Sequence, residues 1–441
     1  MARIMILSHY WHPENGVPQR RWQWLTELLQ KHGDQVIAIT PPPHYVRKLP
    51  PFSWVRSFFA SFRPTIREGS VGEQKLNTSF VPASHSLTSK SVNQVWAALS
   101  SIRIAIQLRT KKSFPPPDVV IGTVPAIPTA LASYATARVW DAPHILDLRD
   151  AWPELLEASE NWNAAIGAPS LRERLLAGSP LKLAKFIATV SLNHIIKQSD
   201  AVVVTTDQHR NDLIKRYTLS HDRVITVRNV FPPALPEIDC PSSSLHHEVD
   251  RTPQKTLNVL YAGTVGRAQN LSNAVKAAQI ARTDGIDIRL RIIGAGAAKR
   301  QLAIDSSQLN VPLEILGKVT PSELQDHYAW ADTALVHLTD WPALEKAVPS
   351  KTFELMALGI HISGVVCGEA ATLIDSLGAG HVVAPEHPEL LAALWKTLAS
   401  DRTLLNVDSQ AREWVRQEYL FRGPQRFLGL IENIVGESNE T

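Results

Sequence analysis

The chain has little cysteine: 2 in 441 residues. That is too few for a disulfide framework or a cysteine-held zinc or iron–sulfur cluster, and it suits a reducing cytoplasm. Long apolar runs are also missing. Stretches such as Val119 to Ala132 are broken by Pro125 and Pro128, short of the roughly 18 clean residues a membrane-spanning helix needs. The N-terminus runs straight into a strand-like segment without the apolar core of a signal peptide. Net charge is small: 45 Lys+Arg against 42 Asp+Glu leaves +3. That argues against a histone-like polycation, so no nucleic-acid partner is expected. Several chemical signatures are absent too. There is no Gly-x-x-x-x-Gly-Lys-Ser/Thr phosphate loop, no Gly-x-Ser-x-Gly elbow, no Asp-x-Asp and no His-Glu-x-x-His. The 16 histidines are scattered, so no metal site is expected. With 44% hydrophobic and 20% charged residues the chain is not disordered, and its length allows two or three domains.

What is present is an alternation of short β-runs and amphipathic helical runs. In the first half the strands read as Arg3–Ser8, Gln35–Thr40, Asp118–Thr123, His144–Leu148, Ala201–Thr205 and Arg223–Val227. In the second half they read as Leu257–Ala262, Ile288–Ile293, Leu313–Leu316, Thr333–Leu338, His361–Val366 and His381–Ala384. Such alternation predicts parallel sheets built from βαβ units. A Pro- and Ser-rich break at Asn229 to Lys255 reads as an interdomain linker. Two such domains would place a cleft between their strand C-terminal ends, where open sheets bind ligands. Between Pro41 and Pro117 only a helix near Val92–Leu108 stands out. The segment Trp54 to Arg63 reads as a helix with Trp54, Phe58, Phe59 and Phe62 on one side and Arg56 and Arg63 on the other. It would suit either an interfacial helix on an anionic membrane or a helix packed on its own domain.

Three segments carry candidate chemistry. A strand runs into Gly263-Thr264-Val265-Gly266-Arg267, where glycines would let backbone N–H groups approach a phosphate and the arginine would add charge. A second turn, Gly294-Ala295-Gly296, invites a dinucleotide reading, but Lys299 stands in place of the third glycine. In Val348-Pro349-Ser350-Lys351-Thr352-Phe353-Glu354, Ser350 reads as a helix N-cap and Gly359 as its stop. Lys351 at the positive end of the macrodipole suggests a bound anion, with Glu354 at i+3 placed for ribose hydroxyls. An ordinary capped helix with an i,i+3 ion pair explains the same residues. In the first half, Asp147, Arg149 and Asp150 form a polar group at a strand end, either facing a cleft or joined in a structural ion-pair network.

Together, "ILSHYWHPENGVPQRR", "DLRDAWPE", "VVVTTDQHRNDLIKRY", "VLYAGTVGRAQNL", "RIIGAG", "VPSKTFELMALG" and "GEAATLIDSLGAG" resemble glycosyltransferase family 4, in particular its WbuB-like branch that builds bacterial surface polysaccharides. The resemblance implies an α/β GT-B fold, two Rossmann-like parallel-sheet domains facing across a cleft. Residues 1–228 would form an acceptor-side domain, 229–256 a linker, 257–405 a nucleotide-sugar-binding domain, and 406–441 a helical segment crossing back. It implies a retaining hexosyltransferase that moves a sugar from a nucleotide-diphosphate sugar to a hydroxyl of a glycan or polyprenyl-linked acceptor, with no bound metal required. Glu354 would bind the ribose. Arg267 and Lys351, with Ser350 at the helix start, would meet the diphosphate. Gly263, Gly266, Gly294 and Gly296 would line the nucleotide-facing turns, Gly317 and Lys318 would lie beside the base, and Gly16 would approach the diphosphate from the first domain. Arg149, Asp150 and Glu345 are the candidates for the reacting centre.

Two departures accompany the resemblance. The family's Glu-x7-Glu pattern ends at Glu354, but its first position is Lys346, with Glu345 one residue off. Many members also carry histidine where this chain has Arg149. A non-catalytic sugar-nucleotide-binding homologue and a sugar-nucleotide epimerase are therefore kept as alternatives. Residues 1–130 hold 15 Lys+Arg against 6 Asp+Glu, a net +9, which leaves −6 for the remainder. A basic first half favours an anionic neighbour. The expected location is cytoplasmic, peripheral on the inner face of the plasma membrane through Trp54–Arg63.

Overall fold

The computed structural model describes residues 1–14, 16–44, 52–82, 87–111, 114–157, 179–230 and 254–440. Most of the expected linker, 231–253, lies outside the described residues. The backbone divides into two compact units. The first comprises Met1–Pro153, Ser179–Asn229 and Phe421–Thr441; the second comprises Glu154–Gly178 and Val230–Leu420.

The first unit is built on eight strands: β1 (Arg3–Leu7), β2 (Gln35–Thr40), β3 (Arg67–Glu68), β4 (Gln74–Asn77), β5 (Val119–Val124), β6 (His144–Leu148), β7 (Ala201–Val204) and β8 (Val224–Thr226). Their spatial order is β3-β4-β2-β1-β5-β6-β7-β8. All neighbours are parallel except β3 and β4. The central strands are buried on both faces and therefore read as continuous apolar runs. β4, second from the edge, carries no apolar pattern in the sequence because Gln-Lys-Leu-Asn buries only Leu76.

Helix α1 (Val17–Lys31) links β1 to β2 and starts with Pro18 in its first turn. Helix α2 (Ser53–Ala60) stands near the sheet's edge. Helix α3 (Leu87–Thr110) leads from β4 to β5, and α4 (Ile127–Trp140) from β5 to β6. Right-handed crossovers place α3, α4 and the helix Ser179–Gln198 on one face of the sheet and α1 on the other. The cores agree: Ile104 and Leu108 of α3 and Ala132 of α4 pack with Met5, Leu7 and Val120. Leu192, Ile195 and Ile196 pack with Leu146, Leu148 and Val202 on that same face. The C-terminal helix Gly423–Glu440 belongs to the first unit, with Phe427 against the ring of Trp22.

The second unit holds six parallel strands: β9 (Thr256–Ala262), β10 (Asp287–Ile293), β11 (Leu313–Leu316), β12 (Thr333–His337), β13 (Ile362–Val365) and β14 (Gly380–Val383). Their order is β11-β10-β9-β12-β13-β14. The chain starts in the middle, winds outward through β10 and β11, then returns to the other side of β9 for β12. Neighbouring β9 and β12 thus send their following loops in opposite directions, which opens a crevice at their carboxyl ends. The first unit has the same device between β1 and β5.

Two expected details differ. The aromatic helix ends at Ala60 with Ser61 as its C-cap, so Phe62 and Arg63 lie in the following turn. Phe58 packs on Trp96 of α3, and the Arg103 guanidinium lies 3.7 Å from the Phe62 ring centroid. Trp54 and Phe59 stay exposed. Ser350 is not the N-cap of its helix. Pro349 holds that position with extended backbone, and Ser350 is the first helical residue. The Pro349 carbonyl accepts from the Thr352 N–H.

Candidate active site

In the second unit the candidate residues follow the carboxyl ends of β9, β10, β11 and β12, so they share one edge of the sheet. The turn after β9 carries Gly263 to Arg267, and Gly266 caps a short 3-10 turn, Arg267–Gln269. The loop after β12 reaches this turn: the Thr339 N–H donates to the Ala268 carbonyl at 2.9 Å. Glu386 braces both sides, accepting from the Asn270 side-chain amide at 3.0 and 3.1 Å and from the Thr339 hydroxyl. Among the described residues the Arg267 Nε is buried and has no hydrogen-bond partner. A buried donor without an acceptor costs free energy, so this arginine is poised for an acceptor at the β9/β12 switch point.

The two glycines after β10 have a packing reason. A Cβ on Gly294, whose φ is +151°, would lie 1.8 Å from the Gly263 carbonyl oxygen. One on Gly296 would lie 2.0 Å from the Val265 carbonyl oxygen. The Gly263 N–H donates to Ile293 and the Val265 N–H to Ala295. The β9 and β10 turns therefore interlock backbone to backbone, which accounts for Gly-x-Gly without a dinucleotide. Gly294→Ala should destabilise the second unit by about 1–3 kcal/mol, from backbone strain and overpacking. Urea unfolding followed by circular dichroism measures this. Gly317 and Lys318, after β11, are exposed.

The helix Ser350–Leu358 carries the densest polar cluster. Glu354 is 4% exposed. Its Oε1 accepts from the Tyr328 hydroxyl at 2.7 Å and from the Lys351 Nζ at 2.7 Å, and the Lys351 Nζ also reaches the Tyr328 oxygen at 3.0 Å. The i,i+3 ion pair is therefore real. It accounts for a cation in the first helical turn without a bound anion. The sequence gives no local sign of Tyr328, which lies on the preceding helix Pro321–Trp330. Gly359 ends the Ser350–Leu358 helix in the left-handed region at φ 68°.

Glu345 is half-buried on the 3-10 turn Pro342–Lys346. Its charge and that of Asp340 help push the Cys367 thiol up, after burial itself. Lys346 pairs with Glu154 at 3.4 Å. A carboxylate thus lies beside the position where the resembled family carries one, but it comes from the "DLRDAWPE" segment.

The first unit separates the three residues grouped by sequence. Asp147 points into the core. It accepts from Arg21 at 2.9 Å, from the Trp22 indole at 3.1 Å and from Thr123 at 3.0 Å, so it belongs to a structural network. Arg149, just past β6, is 7% exposed. Among the described residues its Nε and Nη1 lack hydrogen-bond partners. Burial pushes its pKa down, with Asp147 and Asp150 opposing. Asp150 is exposed. Gly16 caps α1 with extended backbone at the β1/β5 switch point. In the loop before it, burial lowers His9 to about 3 and His12 to about 4, the latter against the charge of Glu73. Both are neutral at pH 7, so charge attraction for an anion from this loop does not come from them.

Residues 243–416 match the family model described as "Glycosyl transferases group 1", which is less than half of the chain. A relative named "Putative colanic acid biosynthesis glycosyl transferase WcaI", from Escherichia coli, is 24% identical over 405 residues, covering 89% of this chain and 90% of that protein. "Putative colanic acid biosynthesis glycosyltransferase WcaL", from Salmonella typhimurium, is 23% identical over 245 residues, covering 49% of this chain and 60% of that protein. Among solved structures, sucrose-phosphate synthase from Thermosynechococcus elongatus superposes with a TM-score of 0.67 at 13% identity, covering 99% and 100% of the two chains. At that identity the likeness shows the fold, which is GT-B: two units, each a parallel-sheet α/β domain.

Proposed function

We propose that this chain is a retaining glycosyltransferase of family 4, in its WbuB-like branch. It moves a sugar from a nucleotide-diphosphate sugar to a hydroxyl of a glycan or polyprenyl-linked acceptor in cell-surface polysaccharide synthesis. The observation that carries the reading is the buried Nε of Arg267 at the β9/β12 switch point, which has no partner among the described residues. The group 1 match over 243–416 and the two colanic acid relatives support the reaction class.

In this reading the donor diphosphate lies against the turn after β9. A phosphate oxygen accepts from the Arg267 Nε–H, which has no acceptor among the described residues, and Lys351 adds a second cation. Both charges gain strength as the sugar–phosphate bond breaks and negative charge grows on the leaving diphosphate. Glu354 accepts from the ribose hydroxyls, with Tyr328 and Lys351 holding its other contacts. Gly16, Gly263, Gly266 and Ser350 keep backbone close to the diphosphate, and Gly317 and Lys318 flank the base. Arg149, Asp150 and Glu345 act at the reacting sugar, where the acceptor oxygen replaces the diphosphate at the anomeric carbon on the same face.

Thermal unfolding in the presence of UDP-, GDP- and dTDP-sugars tests the reading. One class of donor should raise the melting temperature, and mass spectrometry with acceptors should then show a transferred sugar with the donor's anomeric configuration by NMR. No stabilisation by any nucleotide sugar would overturn it. Donor binding without transfer would instead support the non-catalytic reading, which the Lys346–Glu154 pair at the departed position keeps open.

The same proposal places the protein in the cytoplasm, peripheral on the inner membrane face through Trp54–Arg63. No helix among the described residues is long and apolar enough to cross a membrane. Replacing Arg56, Arg63 and Arg67 by Gln should reduce sedimentation with anionic vesicles severalfold. Unchanged sedimentation would return this stretch to ordinary packing.

A further inference from the structure

An apolar helix of a soluble domain buries its apolar side and shows solvent a polar one. Two helices of the first unit do not follow this. The helix Ser179–Gln198 sends Leu192, Ile195 and Ile196 into the core. Yet Leu183, Phe186, Ile187 and Val190, spaced i, i+3, i+4, i+7, are exposed, Phe186 by 65%. In α3, Ile104 and Leu108 are buried, while Val92, Val95, Trp96, Leu99 and Ile106 repeat along an exposed stripe, Leu99 by 60%. Each helix therefore has two apolar faces and only one core. Exposed apolar groups gathered on this scale mark an interaction surface.

Charge says what that surface fits. Helices α2, α3 and α4 and the helix Ser179–Gln198 contain no Asp or Glu. They do carry Arg56, Lys90, Arg103, Arg109, Arg138, Lys182, Lys185 and Lys197. Acidic residues return on the next helix, Asp207–Tyr217, with Asp207 and Asp212. The α3–α4–Ser179–Gln198 layer covers one face of the sheet, so its outer side is a single surface, and α2 abuts α3 through the Phe58–Trp96 contact.

We infer that this whole layer, and not the Trp54–Arg63 stretch alone, docks on an anionic lipid bilayer. The Leu183/Phe186/Ile187/Val190 stripe enters the headgroup–acyl boundary, and Lys182 and Lys185 contact the headgroups. A bilayer offers apolar depth and negative charge together, which is what apolar stripes beside acid-free basic helices require. The inference rests on the membrane part of the proposed function and is independent of sugar transfer, because vesicle binding needs neither donor nor acceptor.

The test is co-sedimentation of the full chain with vesicles of phosphatidylcholine plus phosphatidylglycerol, against phosphatidylcholine alone. The unaltered protein should partition to the mixed vesicles, less so as ionic strength rises. Phe186→Ser with Ile187→Ser, and separately Lys182→Gln with Lys185→Gln, should each lower partitioning about tenfold or more. Phe186, Ile187 and Lys182 are exposed and Lys185 is half-buried, so the melting curve of Phe186→Ser with Ile187→Ser should match the parent. Full binding by both variants, with loss only in Trp54→Ser with Phe59→Ser, overturns the extended surface and leaves the Trp54–Arg63 reading standing. No vesicle binding by the parent, or binding indifferent to salt and to phosphatidylglycerol, overturns both. A parent dimer in light scattering that Phe186→Ser with Ile187→Ser makes monomeric, at unchanged vesicle binding, assigns the face to a second copy instead.

Discussion

Glu354→Gln is expected to weaken donor binding by about a hundredfold, close to 2.7 kcal/mol. The change is nearly isosteric but removes the charge from a buried acceptor that serves Lys351 and Tyr328 at 2.7 Å each. Hydrogen bonds to an ionised group contribute roughly 1.5–3 kcal/mol. Loss of one to a ribose hydroxyl, with loosened orientation of Lys351, supplies the expected magnitude. Stability should also fall, by about 1–3 kcal/mol, because the Lys351 ammonium loses its counter-charge. Isothermal titration with the preferred nucleotide sugar separates the two effects. A lowered melting temperature with unchanged donor affinity would make Glu354 a brace for its helix and remove it from the ribose site.

Arg149→Met carries the second large effect, and its two consequences have opposite signs. The guanidinium is buried, two of its nitrogens lack partners among the described residues, and burial pushes its pKa down. Replacing a poorly satisfied buried charge by an apolar side chain of similar length is often neutral or stabilising, by roughly 1–3 kcal/mol. Asp147 does not depend on it, since Arg21, Trp22 and Thr123 already fill that carboxylate. Catalysis should drop by about 10²–10³ in kcat, the usual cost of removing a positioned donor from a developing charge. The measurement is single-turnover transfer alongside urea unfolding. A protein destabilised by several kcal/mol with transfer intact would show that Arg149 serves the fold.

The fold was largely legible from the chain. Strands buried along their length are mostly apolar, so β1, β2, β5 and β6 announced themselves, as did β12 and β13 in the second unit and helix stops at glycines such as Gly359. β4 escaped because this strand, second from the edge and covered on its outer side only by the two-residue β3, buries one side chain in four. Pro349 was overlooked as a cap because a serine beside it offered the commoner chemistry, although no side-chain cap forms there.

The candidate site was legible only in part. Sequence alone determined that glycine turns, Arg267, and the Lys351–Glu354 pair follow strands, because spacing along one chain sets what lies on one turn or one helix face. Tertiary structure decided the rest. It bound Tyr328 to Glu354, set Glu154 beside Lys346, turned Asp147 inward while leaving two nitrogens of Arg149 without partners among the described residues, and used Gly294 and Gly296 to let two turns touch. It also showed that the apolar residues of Ser179–Gln198 divide into a core face and an exposed one. Periodicity records that a side chain is apolar, but whether another layer covers it depends on packing between segments distant in sequence.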